Sequence, residues 1–145
     1  MDYIDLTRTE IIHRKTIEIS GGGEDGIINI GTLESILAHI RNDDYYPTIE
    51  EKLNHLVYAV NKSHCFVDGN KRLSITLGTD FLLINGYFKI IRRFITEMEN
   101  ISYHLAAGKI SKDMLQKILN SIFYEIDFSE SLKMEIFMAI NDENN

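Results

Sequence analysis

A chain of 145 residues with 44% hydrophobic side chains is long enough to bury a core, and it predicts one domain over residues 1–145. Its 15 basic and 22 acidic residues leave a net charge of −7, which excludes a broad basic surface for nucleic acid and makes any anion site local. A single cysteine, Cys65, rules out an internal disulfide. The start Met-Asp-Tyr-Ile-Asp lacks the basic and apolar regions of a signal peptide, and no apolar run approaches the roughly 18–20 residues of a membrane span, so a cytoplasmic protein without membrane contact is expected.

Apolar residues recur at helical spacing and most segments carry a start signal, so the expected fold class is all-α. Thr7 with Glu10 forms a capping box ahead of Ile11, Ile12 and Ile19, and Ser20 to Gly23 ends that helix. Leu33, Ile36, Leu37 and Ile40 make one buried stripe behind a Thr32 cap. Pro47 precedes a second capping box, Thr48 with Glu51, and Leu53, Leu56, Val57 and Val60 repeat the stripe to about Ser63.

After a break at His64 to Gly69, Asn70 is the expected N-cap of a helix with Leu73, Leu77, Phe81 and Ile84 on one face and Ile75 and Leu82 on another. Apolar on two sides, it should be central, and Gly86 should stop it. Thr96 with Glu99 opens the next helix, ended by Gly108. Ser111 caps one built on Met114, Leu115, Ile118, Leu119 and Ile122, and Ser129 starts a last one to about Ile140. Asp142 to Asn145 should fray.

The segment with chemical content is His64-Cys-Phe-Val-Asp68-Gly-Asn-Lys-Arg72, between one helix end and the most hydrophobic helix. Asp-Gly-Asn makes a tight turn that points backbone N–H groups outward at a helix N-terminus, where unpaired amides and the macrodipole favour an anion such as phosphate. Gly69, Asn70, Lys71 and Arg72 therefore read as a phosphate seat. Lys71 and Arg72 sit at the wrong helix end for cations, a cost of roughly 0.3–1 kcal/mol each that a bound polyphosphate would reverse. Asp68 offers a hard oxygen for Mg²⁺, which needs only one or two carboxylates when it rides on nucleotide phosphates. His64 can accept the proton of an attacking hydroxyl, and Phe66 would anchor the loop in the core. Taken singly, each of these residues has a plain structural role as turn, dipole partner or surface charge. Their joint spacing is what points to function.

The segment resembles the signature of the Fic/Doc family, His-x-Phe-x-(Asp/Glu)-Gly-Asn-(Gly/Lys)-Arg. Gly22-Gly23, Gly26 and Leu33-Glu34-Ser35 are similar to the glycine-rich flap and following helix of Doc-type members, and Leu105 to Ser111 to their late helix-turn-helix, so coverage runs roughly from Leu6 to Leu119. The resemblance implies a Fic-fold helical bundle with a short β-hairpin flap, leaving 129–145 as a C-terminal helix and tail beyond the Doc-like core. It also implies transfer of part of a nucleoside triphosphate onto a protein hydroxyl.

Lys71 replaces the glycine of the commoner pattern, and Ile75 stands where adenylylating members carry a second arginine. Both are Doc-like and imply ATP bound in reverse, with its γ-phosphate toward His64, hence phosphorylation. Doc-type toxins act within a toxin–antitoxin pair, with elongation factor Tu the family's precedent as target. Protein adenylylation by the same His64 is the second reading, and a binding module without turnover the third. The intact His64, Asp68, Asn70 and Arg72 weigh against the third. Cys65 in place of proline removes a constraint on the loop.

The β-prone run Ile27, Ile28, Asn29 and Ile30, bounded by Gly26 and Gly31, suits one arm of a flap whose edge pairs with an extended target segment. Cys65 reads as a small buried hydrophobe rather than a nucleophile. His13, His39, His55 and His104 lack zinc spacing and read as surface or helix-end residues, and Arg92-Arg93 is too short to grip nucleic acid. Ala139 to Asn144 resembles the inhibitory motif of some Fic proteins around Glu143, but its hydroxyl residue and the arginine it engages are both absent.

Overall fold

The computed structural model describes residues 1–19, 26–27, 29–66 and 69–142. They form α1 (Leu6–Ile19), α2 (Ile30–His39), α3 (Ile49–Lys62), α4 (Asn70–Ile84), α5 (Phe88–Ala106), α6 (Lys112–Tyr124) and α7 (Glu130–Ile140). The all-α expectation holds. The stripe Leu53, Leu56, Val57 and Val60 is fully buried, and it makes α3 the hub that packs on α2, α4, α5 and α6. Each such side chain contributes about 1.5–3 kcal/mol relative to exposure, more than any helix propensity does.

Helix α4 is central as its two apolar faces require. Leu73, Leu77, Phe81 and Leu82 are buried where it packs against α1, α3 and α5. Gly78 permits that approach: a Cβ there would lie 2.7 Å from Phe94 Cζ of α5 and 3.1 Å from Val57 Cγ2 of α3. Helix α1 is fastened to α4 by a fork in which Arg8 donates from Nε and a terminal nitrogen to both Asp80 oxygens, at 2.5 and 2.7 Å. Ahead of it, the Asp2 N–H donates to Asn85 Oδ1 at 2.8 Å, and Asn85 Nδ2 donates to Asp2 O at 3.0 Å.

Three expected caps are present. The Thr48 oxygen accepts from the Glu51 N–H at 3.2 Å, Ser111 from Met114 at 3.0 Å and Ser129 from Leu132 at 3.1 Å. Other helix starts differ. Asp5 Oδ1 accepts from the Arg8 N–H at 2.8 Å, so Asp5 rather than Thr7 caps α1. Asn29 Oδ1 accepts from the Thr32 N–H at 3.0 Å, which moves the α2 cap from Thr32 to Asn29 and makes Ile30 helical.

Helix α5 starts at Phe88, well before the expected Thr96. The end of α4 is a Schellman turn in which the Tyr87 N–H reaches Leu82 O at 3.0 Å and the Gly86 N–H reaches Leu83 O at 3.1 Å, with Gly86 at φ 81°. Only Tyr87 then separates that turn from α5, and the Thr96–Glu99 pair lies inside a helix already under way.

No β-hairpin is formed among the described residues of the expected flap. Ile28 and Gly22-Gly23 lie outside the described residues, as does Glu143 of the tail motif. Among the described residues, the one β pairing is an isolated antiparallel bridge between Ile27 and Phe66. No helix among them is long and apolar enough to cross a membrane.

Candidate active site

The loop after α3 begins with a backbone outlier. Ser63 is the C-cap, and the next residue, His64, has φ 49°, a left-handed conformation normally left to glycine at a helix end. A side chain there costs roughly 1–2 kcal/mol. The chain accepts that cost and keeps the imidazole exposed, the kind of outlier that marks a functional position. Cys65 and Phe66 then turn inward and are completely buried, so Phe66 is the anchor that its aromatic character predicts.

Asn70 does not act as the N-cap. It is the first residue of α4, and its side chain reaches back to brace the loop: the Phe66 N–H donates to Asn70 Oδ1 at 3.2 Å, and Asn70 Nδ2 donates to Phe66 O at 3.0 Å. The cap position falls to Gly69, whose φ of 82° suits a residue without a Cβ, and among the described residues no side chain caps the helix. The N–H groups of a helix first turn are the kind that suit an anion. Lys71 and Arg72 stand exposed on that turn, and an Arg72 terminal nitrogen lies 3.8 Å from where a Cβ on Gly69 would sit.

His64, Gly69, Asn70, Lys71 and Arg72 thus share one loop and helix start, braced by Phe66. Asp68 lies outside the described residues. Beside Arg72 opens a groove of about 310 Å³ whose walls include Ile19, Ile75 and Ile95, with Arg72 its one basic lining residue. The flap segment meets the loop as well, since the Asn29 N–H donates to Cys65 O at 3.2 Å next to the Ile27–Phe66 bridge. Burial pushes the Cys65 thiol above its ordinary range, which agrees with an inert, packed sulfur.

Helix α1 supplies a residue that reading along the sequence assigns to the surface. His13 is 1% exposed, and its ring centroid lies 4.0 Å from that of Phe66. The available signal was its spacing, because Thr9, His13, Thr16 and Ile17 share the buried face of α1. His55 is likewise drawn inward, against Tyr46 and Lys112. Among the described residues, no group of three His, Cys, Asp or Glu could hold a metal ion.

The family match falls on this half of the chain. The model of the Fic/DOC family matches residues 3–82, from the segment before α1 through most of α4 and including the whole His64–Arg72 segment. The toxin Doc of Mycolicibacterium smegmatis is 31% identical over 86 residues, which cover 54% of this chain. The match spans 66% of that relative, just under two thirds of its length.

Proposed function

The chain belongs to the Fic/DOC family, and we propose that it is a Doc-type toxin, an ATP-dependent protein kinase that moves the γ-phosphate of ATP onto a hydroxyl of a cytosolic protein target such as elongation factor Tu. The observation that carries this reading is the start of α4: a helix N-terminus behind Gly69 with Lys71 and Arg72 exposed on its first turn, reached by a short loop from an exposed His64.

In this reading His64 takes the proton of the target hydroxyl, whose oxygen forms a new bond to the γ-phosphorus as the bond to ADP breaks and ADP leaves. Gly69, Asn70, Lys71 and Arg72 hold the phosphates through backbone N–H groups and side-chain charge. Such a donor set suits phosphate oxygens rather than a bare cation, so Mg²⁺ would arrive on the nucleotide with Asp68 as its protein ligand. When bound, Mg²⁺ neutralises charge on the phosphates. The groove beside Arg72, with Ile19, Ile75 and Ile95 among its walls, offers apolar surface on which a nucleoside could rest. An extended target segment would pair along the stretch Ile27, Ile28 and Asn29. Ile30, as part of α2, would not join it. An antitoxin partner would complete the pair, as the name of the Doc relative suggests.

Purified protein incubated with elongation factor Tu should transfer label from γ-labelled ATP and release ADP, with none transferred from α-labelled ATP. Uptake of α-label with pyrophosphate release would establish adenylylation instead, and no uptake from either would remove this target.

A further inference from the structure

The peptide unit between Cys65 and Phe66 is gripped at both edges. Its carbonyl, Cys65 O, accepts from the Asn29 N–H at 3.2 Å, and its amide, the Phe66 N–H, donates to Asn70 Oδ1 at 3.2 Å. In a trans peptide these two groups point in opposite directions, so the unit is held between the N-cap of α2 and the first residue of α4. His64 stands directly before it, in a left-handed conformation of the kind that persists only where the surroundings over-determine it.

The grip on the amide side belongs to α4 itself. The grip on the carbonyl side depends on Asn29, an exposed residue that is fixed at three atoms. Its N–H goes to Cys65 O, its Oδ1 accepts from the Thr32 N–H at 3.0 Å, and its carbonyl accepts from the Leu33 N–H at 3.2 Å. Thr32 and Leu33 belong to the start of α2, and Leu33 is completely buried in the core. The side-chain cap holds residue 29 at φ −134° and ψ 86°, and so sets the direction of its N–H. A core helix is thereby tied, through one capping residue, to the peptide that follows the proposed base by one residue.

We propose that Asn29 is a positioning residue for the transfer reaction: its capped backbone clamps the Cys65–Phe66 peptide opposite Asn70 and holds His64 in register with the first turn of α4. The proposal rests on the reading of His64 as the base. Proton transfer needs heavy atoms about 2.6–3.2 Å apart, and a misplacement of about 1 Å costs on the order of 10²-fold in rate, so the clamp acts on the chemistry without touching the nucleotide.

Three variants of the full chain test it. Asn29→Ala removes the cap and should lower kcat by at least about tenfold at saturating ATP and elongation factor Tu, with the KM for ATP within about twofold because the phosphate seat lies on α4. Asn29→Asp restores the acceptor and should bring kcat back to within about threefold of wild type. Ser129→Ala removes the corresponding cap of α7, where Ser129 Oγ accepts from the Leu132 N–H at 3.1 Å. It should lower the melting temperature about as much as Asn29→Ala does and leave kcat unchanged. Two further signals need no activity. In Asn29→Ala the amide of residue 29, corrected for its intrinsic rate, should exchange at least about tenfold faster and the His64 ring resonances should shift, with neither change in Ser129→Ala.

A merely structural cap would make Asn29→Ala behave like Ser129→Ala, with a lower melting temperature, wild-type kcat and unmoved His64 resonances, and that result would overturn the proposal. A loss of kcat that Asn29→Asp does not recover would overturn it as well. Wild-type protein that transfers neither label to any protein of a cell lysate would instead overturn the reading of His64, while the exchange rate and ring resonances still decide whether Asn29 holds the loop.

Discussion

Two histidines nine residues apart on one stretch of chain have opposite surroundings. His55, midway along α3, is half-buried, stacked on Tyr46 at 4.7 Å between centroids and edge-on to His39 at 5.4 Å. Its Nδ1 lies 3.0 Å from Tyr46 Oη and 3.0 Å from Lys112 Nζ, and because an ammonium can only donate, that nitrogen presents its lone pair to Lys112. Burial first, then the charges of Lys112 and His39, push its pKa down to about 4. His64, just past the same helix, has its ring exposed and its backbone in the left-handed region. The difference teaches that packing settles which histidine stays accessible: His55 is committed as an acceptor inside the fold, whereas His64 presents its ring to solvent, as the proposed base requires.

The sharpest break of that comparison is His64→Gly. It should cut transfer by about 10²–10⁴-fold, as the loss of a general base does, while leaving the melting temperature unchanged or higher because glycine suits φ 49°. Retained transfer, or a marked loss of stability, would erase the contrast. The mirror experiment is His55→Ala, which leaves the Lys112 ammonium without its acceptor and Tyr46 without its ring partner, and should cost about 1–3 kcal/mol in denaturant titrations. The folded fraction should keep wild-type kcat and KM.

A smaller effect comes from pH. The folded-state pKa of His55, about 4, lies below the ordinary 6.5, so the unfolded chain binds the proton first. The contribution of His55 is therefore fully present above about pH 6.5 and is lost as pH falls toward 4, on the order of 1 kcal/mol once solvent screening of a half-exposed ring is allowed for. Denaturation midpoints measured across that window should slope in wild type and flatten in His55→Gln. Smallest of all, Lys71→Gln should stabilise the apo protein by about 0.3–1 kcal/mol at low salt by relieving a cation at a helix N-terminus, while weakening ATP binding. A loss of stability on this change would show that the first turn of α4 does not disfavour the lysine.

The sequence discloses the stripes of α2, α3 and α6 and the caps at Thr48, Ser111 and Ser129, because these depend on residues three or four apart. It misleads at α5, where the Schellman turn lets a new helix start after one residue with no polar cap, and the Thr96–Glu99 pair imitates a beginning. In the candidate site, His64 to Arg72 is legible because it is one contiguous segment. The bridge of Ile27 to Phe66 and the seat of His13 under the loop are not, since both are contacts between segments distant in the chain. Asn70 illustrates the limit well: its residue type signals a cap, yet its side chain is spent on Phe66 and glycine takes the cap position.

The fastening of α1 to α4 has a consequence in time. The Arg8–Asp80 fork and the Asp2–Asn85 pair join positions 72 and 83 residues apart, so during synthesis α1 leaves the ribosome long before its main partner exists. At roughly 5–20 residues per second, the 65 residues between Ile19 and Ile84 represent about 3–13 seconds in which the face bearing His13 and Ile17 lacks α4. Stalled chains ending before α4 should leave α1 open to protease, and longer ones should protect it. A nascent chain built this way cannot assemble its loop until more than half of the polypeptide has been made.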